Sequence, residues 1–155
     1  MTELKRTRDG CQALCAVGEL IIAATSEKPM TDEAVDEFIV HLGALMNGRS
    51  AITAILQYSP TQSPNALQRK RMMEAQAMDQ PIKRIAILTQ SKIVRGAVTA
   101  LAWFAKSGPQ TRAFSIDRHA DALKWLSETA RFDRVAAPAV LKEVTSAVGL
   151  TMTTT

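Results

Sequence analysis

The chain has 155 residues, of which 46% are hydrophobic and 22% charged, and it carries a formal net charge of +4. That length suits one domain able to bury its core without disulfides or metal ions, and the balance of apolar to charged residues argues against disorder and against a membrane span. The modest positive charge falls short of the basic face of a dedicated nucleic-acid binder, so neither nucleic acid nor a transmembrane segment is expected.

Residues 1–10 begin MTELKRTRD, polar and charged, and read as a flexible lead-in. They lack the basic start and long apolar run of a secretory signal, which makes the cytoplasm the simplest location. From Cys11 to Thr25 the chain is almost wholly apolar, broken only by Gly18-Glu19. That dipeptide can turn a hairpin between Gln12–Val17 and Leu20–Ala24. A continuous helix competes with this reading; Gly18 and the Ile21-Ile22 pair favour the hairpin. On one strand Cys11 and Cys15 would lie about 13 Å apart at ~3.3 Å per residue, too far for a disulfide, so both read as reduced core residues.

Thr31-Asp32-Glu33 supplies a cap and two acids for the positive end of a helix whose apolar stripe is Val35, Phe38, Ile39, Leu42 and Leu45, ended by Asn47-Gly48. Ala51–Leu56 reads as the next strand and Tyr58–Gln62 as a loop rich in Ser and Pro. Ser63-Pro64 then starts a helix to about Asp79, with a polar side that includes Arg69, Lys70 and Arg71. Arg84–Leu88 is a short apolar run, as expected of a strand covered on both faces. Ser91 caps a helix carrying Val94, Ala97, Val98, Leu101 and Phe104, which Gly108-Pro109 stops. Arg112–Phe114 forms another strand, and Asp117 caps a helix with Ala122, Leu123, Leu126 and Ala130 inward. Val135–Leu150 is a last amphipathic segment, with the stripe Val140, Leu141, Val144 and Val148, before a disordered tail at 151–155.

Alternating strands and helices predict an α/β fold with a mostly parallel sheet and helices packed on it, in which function gathers at the carboxyl ends of the strands. Those ends are Gln57–Ser63, Thr89–Ser91 and Ser115–Asp117. None carries a glycine-rich phosphate loop, and no catalytic constellation stands out. His41 and His119 have no second ligand at a metal spacing, so no metal and no cofactor is expected. The run Arg69-Lys70-Arg71 and the tryptophans Trp103 and Trp125, each beside an apolar stripe, are candidates for an interaction surface.

The order of elements, with GELIIAATSEKPMTDEAVDEF early, KRIAIL in the third quarter and RAFSIDRHADALKWL late, resembles a STAS-type domain. More narrowly it is similar to the SpoIIAA-like proteins of bacteria, in which a strand ending in arginine-x-phenylalanine leads into a helix ending in alanine-leucine-x-tryptophan-leucine. Arg112, Phe114, Ala122, Leu123, Trp125 and Leu126 stand at those positions. The resemblance covers roughly Gly18 to Leu126 and implies a single STAS-like domain, placed over 11–130, with an N-terminal hairpin and a sheet of four to five strands; the extra C-terminal helical segment over 131–150 lies beyond its end.

It also implies a non-enzymatic interaction or signalling module, bound to a regulatory protein. In the anti-sigma-factor antagonists of this fold a serine in an Asp-Ser-Ser-Gly-like motif is phosphorylated by a partner kinase. The matching junction, Gln57–Ser63, has neither the acid nor the glycine, and Pro64 removes one N–H that would hold a phosphate. Ser63 is therefore read first as an N-cap, while Ser59, Thr61 and Ser63 remain the candidate phospho-acceptors or partner loop. Two other readings stand beside this one: a carrier of a small apolar ligand or lipid, lined by the many Ala, Met and Val, and an enzyme of unrecognised type. The stripe of Val135–Leu150 must be buried somewhere, and a partner subunit, making a homodimer, is the expected cover.

Overall fold

The computed structural model describes residues 4–28, 31–47, 52–60, 67, 68, 70, 71, 82–96 and 109–150. Six strands make one sheet in the strictly sequential order β1 (Lys5–Arg6), β2 (Gln12–Val17), β3 (Leu20–Thr25), β4 (Ala54–Tyr58), β5 (Arg84–Leu88) and β6 (Gln110–Phe114). β2 runs antiparallel to its neighbours β1 and β3, and β3 to β6 run parallel. The expectation of a mostly parallel sheet with an N-terminal hairpin holds. The count rises above the expected four to five because Lys5–Arg6 pairs with Ala13 and Leu14 on the outer side of that hairpin.

The hairpin turn explains why this stretch is not a helix. Gly18 has φ +56, and none of the described non-glycine residues has a positive φ. Only the first central residue of the turn is thus left-handed, the pattern of a type II′ turn that matches the twist of its strands. The turn is also clasped. The Glu19 N–H donates to the Arg131 carbonyl at 2.9 Å, the Arg131 N–H donates to Glu19 Oε1 at 2.8 Å, and the Thr53 N–H donates to the Glu19 carbonyl at 3.0 Å. This last bond sets Leu20 opposite Ala54, so β4 begins at Ala54, later than the Ala51–Leu56 reading, and takes in Tyr58.

Alternation along the strands builds two cores. Ala13, Cys15, Val17, Leu20, Ile22, Ala24, Leu56, Leu88 and Phe114 belong to one face; Leu14, Ala16, Ile21, Ala23 and Ile55 belong to the other. Both cysteines are buried and neither is in a disulfide. Helix α1 (Asp32–Asn47) covers the second face with Phe38, Leu42, Leu45 and Met46, and the Thr31 hydroxyl accepts the Ala34 N–H at 3.1 Å as its cap. Ser91 likewise accepts the Val94 N–H at 3.2 Å, and residues 92–96 are helical, as are 67, 68, 70 and 71. The remaining parts of the two helices expected from Ser63 and Ser91, including Ala97, Val98, Leu101 and Phe104, lie outside the described residues.

Helices α2 (His119–Ser127) and α3 (Ala137–Ala147) cover the first face. Two expectations are corrected here. Asp117 does not cap α2: it sits in a 3-10 turn over Ile116–Arg118, and its carboxylate accepts the Ser115 hydroxyl at 2.6 Å. The C-terminal stripe is not left for a partner subunit. Val140, Leu141, Val144 and Val148 are buried in the chain's own core, against the β2–β3 side of the sheet. The sequence shows that this stripe needs cover but not that β2 and β3 present a bare second face. Asp133 prepares the segment by accepting the Val135 and Ala136 N–H groups at 2.9 and 3.1 Å.

Candidate interaction surface

Two places draw polar and aromatic side chains together. The first is the carboxyl rim of the parallel strands. One residue beyond the aligned set Ala24, Tyr58, Leu88 and Phe114 stand Thr25, Ser59, Thr89 and Ser115, and Gln12 lies opposite Thr25. By alternation this row lies on the α1 face. Gln57 ties it together, its amide nitrogen donating to Thr25 Oγ1 at 2.9 Å and to Ser59 Oγ at 3.2 Å. Thr89 donates to the Pro60 carbonyl at 3.2 Å and accepts the Ser91 N–H at 3.2 Å. Gln12 is 1% exposed, yet among the described residues neither amide atom of its side chain has a hydrogen-bond partner. Burial pushes the Tyr58 phenol above its ordinary pKa, and the negative charge of Glu27 pushes it further. The hydrogen bond from Ser115 holds the Asp117 carboxyl below its ordinary value.

The second place is the far edge of the sheet. Arg84 on β5 lies opposite Gln110 on β6, and its side chain reaches up to α2. Its Nη1 donates to the Trp125 carbonyl at 2.6 Å and to Glu128 Oε1 at 3.1 Å, and its Nε donates to Gln110 Oε1 at 3.3 Å. The guanidinium stands 4.7 Å from the centre of the Trp125 ring. Trp125 in turn meets Phe114 with centroids 5.9 Å apart and planes tilted by 53°. The Arg112 guanidinium also lies over the Phe114 ring, 4.9 Å from its centre. The four side chains form one ladder, arginine, tryptophan, phenylalanine, arginine, in which cation–π and tilted-ring contacts each add stabilisation beyond buried area.

The two arginines differ in what they have left to offer. Arg84 is spent on Trp125, Glu128 and Gln110, and its side chain is only 17% exposed. Arg112 is exposed, and among the described residues its contact is the Phe114 ring, with no ion pair or hydrogen bond. Its guanidinium is therefore oriented without being neutralised.

Of the residues singled out in the sequence, Trp125 is half-buried within this ladder. Ser59 is 6% exposed and its hydroxyl is engaged by Gln57, so it sits inside the rim network rather than on it. Thr61, Ser63, Arg69 and Trp103 lie outside the described residues. Lys70 is exposed, and Arg71 pairs with Asp36 of α1, so these two do not converge with the ladder. His119 packs its ring nitrogen 3.4 Å from the Ile116 carbonyl, and no group of three metal-capable side chains occurs among the described residues. Sequence reasoning missed Arg84, Gln110 and Glu128 as members of the edge site. Arg112-x-Phe114 held the legible part of the signal, because residues two apart on a strand share a face.

The late strand and helix that build this edge are the segment on which the family resemblance rests, and the profile of one family, described as SpoIIAA-like, matches residues 21–127. The chain belongs to the SpoIIAA-like family. No curated protein and no solved structure matches it. The SpoIIAA-like match runs from β3 to the last turn of α2, so it takes in the ladder and the rim and stops before α3. Domains of this family are generally regulatory and non-enzymatic. No helix among the described residues is long and apolar enough to cross a membrane.

Proposed function

We propose that this chain is a non-enzymatic regulatory module of the bacterial cytoplasm, acting through contacts with another protein rather than through chemistry of its own. The observation that carries this reading is the ladder at the β5–β6 edge. Tryptophan and arginine are the side chains that most often dominate protein interfaces, and here they are held rigid and partly exposed, which lowers the entropy lost on docking. The match to the SpoIIAA-like family, which is generally regulatory, supports the same reading.

The rim loop Gln57–Ser63 is a second contact region in this proposal, with Ser59, Thr61 and Ser63 as candidate points of control. Modification of Ser59 would require the rim to open, because its hydroxyl is buried against Gln57. Incubation with host lysate and ATP followed by mass-spectrometric mapping reads this out. The decisive test is affinity capture from the native host with wild-type and Trp125→Ala protein, both checked for native circular dichroism. A specific partner is expected with wild type and lost with the variant; equal capture by both removes the edge from the proposal.

A further inference from the structure

We propose that the open edge of β6 accepts an extended acidic segment of the partner as a seventh strand, with an acidic side chain of that segment seated on Arg112. This deepens the interaction reading above and rests on it.

Among the described residues the backbone of β6 leaves an unused set of hydrogen-bonding groups. The Gln110 N–H donates to the Lys83 carbonyl at 2.9 Å, and the Phe114 carbonyl accepts the Thr89 N–H at 3.0 Å. In a parallel ladder alternate residues turn both peptide groups to the same neighbour, so residues 110, 112 and 114 face β5. The N–H and carbonyl groups of Thr111 and Ala113 consequently face outward, and among the described residues β6 is the last strand of the sheet. It is a five-residue edge, whereas the opposite edge, β1, has two residues. An exposed edge of this kind is a template for another strand, and recognition by strand addition uses it.

Charge selects the occupant. Gln110, Arg112 and Phe114 share the face of the ladder, and Arg112 stands in the middle of the edge with its guanidinium fixed on Phe114 and no acidic partner among the described residues. A second copy of the chain paired antiparallel about Arg112 would set two guanidinium groups opposite each other, which disfavours self-association at this edge. An acidic side chain at the same cross-strand position instead makes a charge-assisted hydrogen bond with a donor whose orientation is already set. The same residue thus discourages pairing between copies and favours an anionic strand.

The test uses the full chain labelled with ¹⁵N and two synthetic seven-residue peptides of alternating threonine and valine, one with a central glutamate and the other with a central lysine. The glutamate peptide is expected to slow hydrogen exchange at the Thr111 and Ala113 amides and shift their resonances, and the lysine peptide to leave both unchanged. Arg112→Ala should weaken the glutamate peptide roughly tenfold, and Arg112→Glu should exchange the preference for the lysine peptide. Equal protection by both peptides, protection elsewhere only, or concentration-dependent protection without peptide overturns the proposal. If a native partner is captured in a Trp125-dependent way while neither peptide protects β6, strand addition falls and the interaction reading stands.

Discussion

The middle of the sheet and its β6 edge are built from the same kind of strand and end in opposite states. Every residue of β2 and β3 is buried, one face under α3 and the other under α1. β6 alternates exposed and half-buried positions until Phe114, and it keeps one side of its backbone unpaired by any described strand. The difference follows from what lies above each strand. Two covered faces favour apolar residues along β2 and β3, with only the paired end residues Gln12 and Thr25 polar, and hold the register, whereas an edge covered only in part leaves room for arginine and glutamine. Stability is concentrated in the first region, and the recognition proposed above belongs to the second.

The largest test of that contrast is to uncover the middle. Truncation after Arg131 removes α3 and the turn after it, and with them the large buried apolar side chains of Val140, Leu141, Val144 and Val148, each worth about 1.5–3 kcal/mol. Against a total stability of roughly 5–15 kcal/mol this should abolish cooperative folding, seen as loss of the thermal transition by circular dichroism. A truncated chain that melts as wild type does would show that α3 is dispensable to the middle of the sheet.

Next in size is Gly18→Ala, which attacks the clasp between hairpin and C-terminal segment. A Cβ at Gly18 would meet the Arg131 carbonyl oxygen at 2.5 Å, on a residue whose φ is +56. Strain of this kind costs about 1–3 kcal/mol, so the urea midpoint should fall with an unchanged m-value. Gln12→Met acts in the same region with the opposite sign. It replaces a buried amide that has no hydrogen-bond partner among the described residues by a side chain of similar shape, and a gain of about 1–2 kcal/mol is expected by urea denaturation. A loss would mean that the amide is satisfied in solution.

The two arginines of the edge sharpen the contrast from the other side. Arg84→Ala removes packing on Trp125 and the bond to its carbonyl, and should cost about 1–2 kcal/mol. Arg112→Ala should change stability by no more than about 0.5 kcal/mol, as exposed substitutions commonly do. Equal costs in thermal melts would contradict the division into a supporting and a free arginine.

At neutral pH the smallest effect belongs to Tyr58→Phe. The folded-state pKa of Tyr58 is raised by burial and by Glu27, so its contribution is fully present below the unfolded value of about 10 and is lost as pH rises through the folded value. Wild type should lose stability above pH ~10 more steeply than Tyr58→Phe. Tyr58 is the chain's one tyrosine, so its phenolate absorbance reports the titration directly. A midpoint at or below the ordinary value would refute the raised pKa.

The sequence by itself determined the local elements, because their causes are local. Gly18 permits the turn, Thr31 and Ser91 cap helices, and the apolar run Arg84–Leu88 matches β5 residue for residue. Val140, Leu141, Val144 and Val148 announced a helix with a face to bury. Where that face went was decided only by the tertiary structure. The destination depends on which side of β2 and β3 the other helices leave bare, and this is a property of the assembled sheet. The same holds for the edge site. Arg84, Arg112, Phe114, Trp125 and Glu128 come together because β5 and β6 pair in one register and α2 folds back over them, so that residues up to 44 positions apart meet. Trp125 and the Arg112-x-Phe114 pair were legible as residue types, but the ladder was not, since a cation–π contact depends on distance and orientation that no sequence spacing sets.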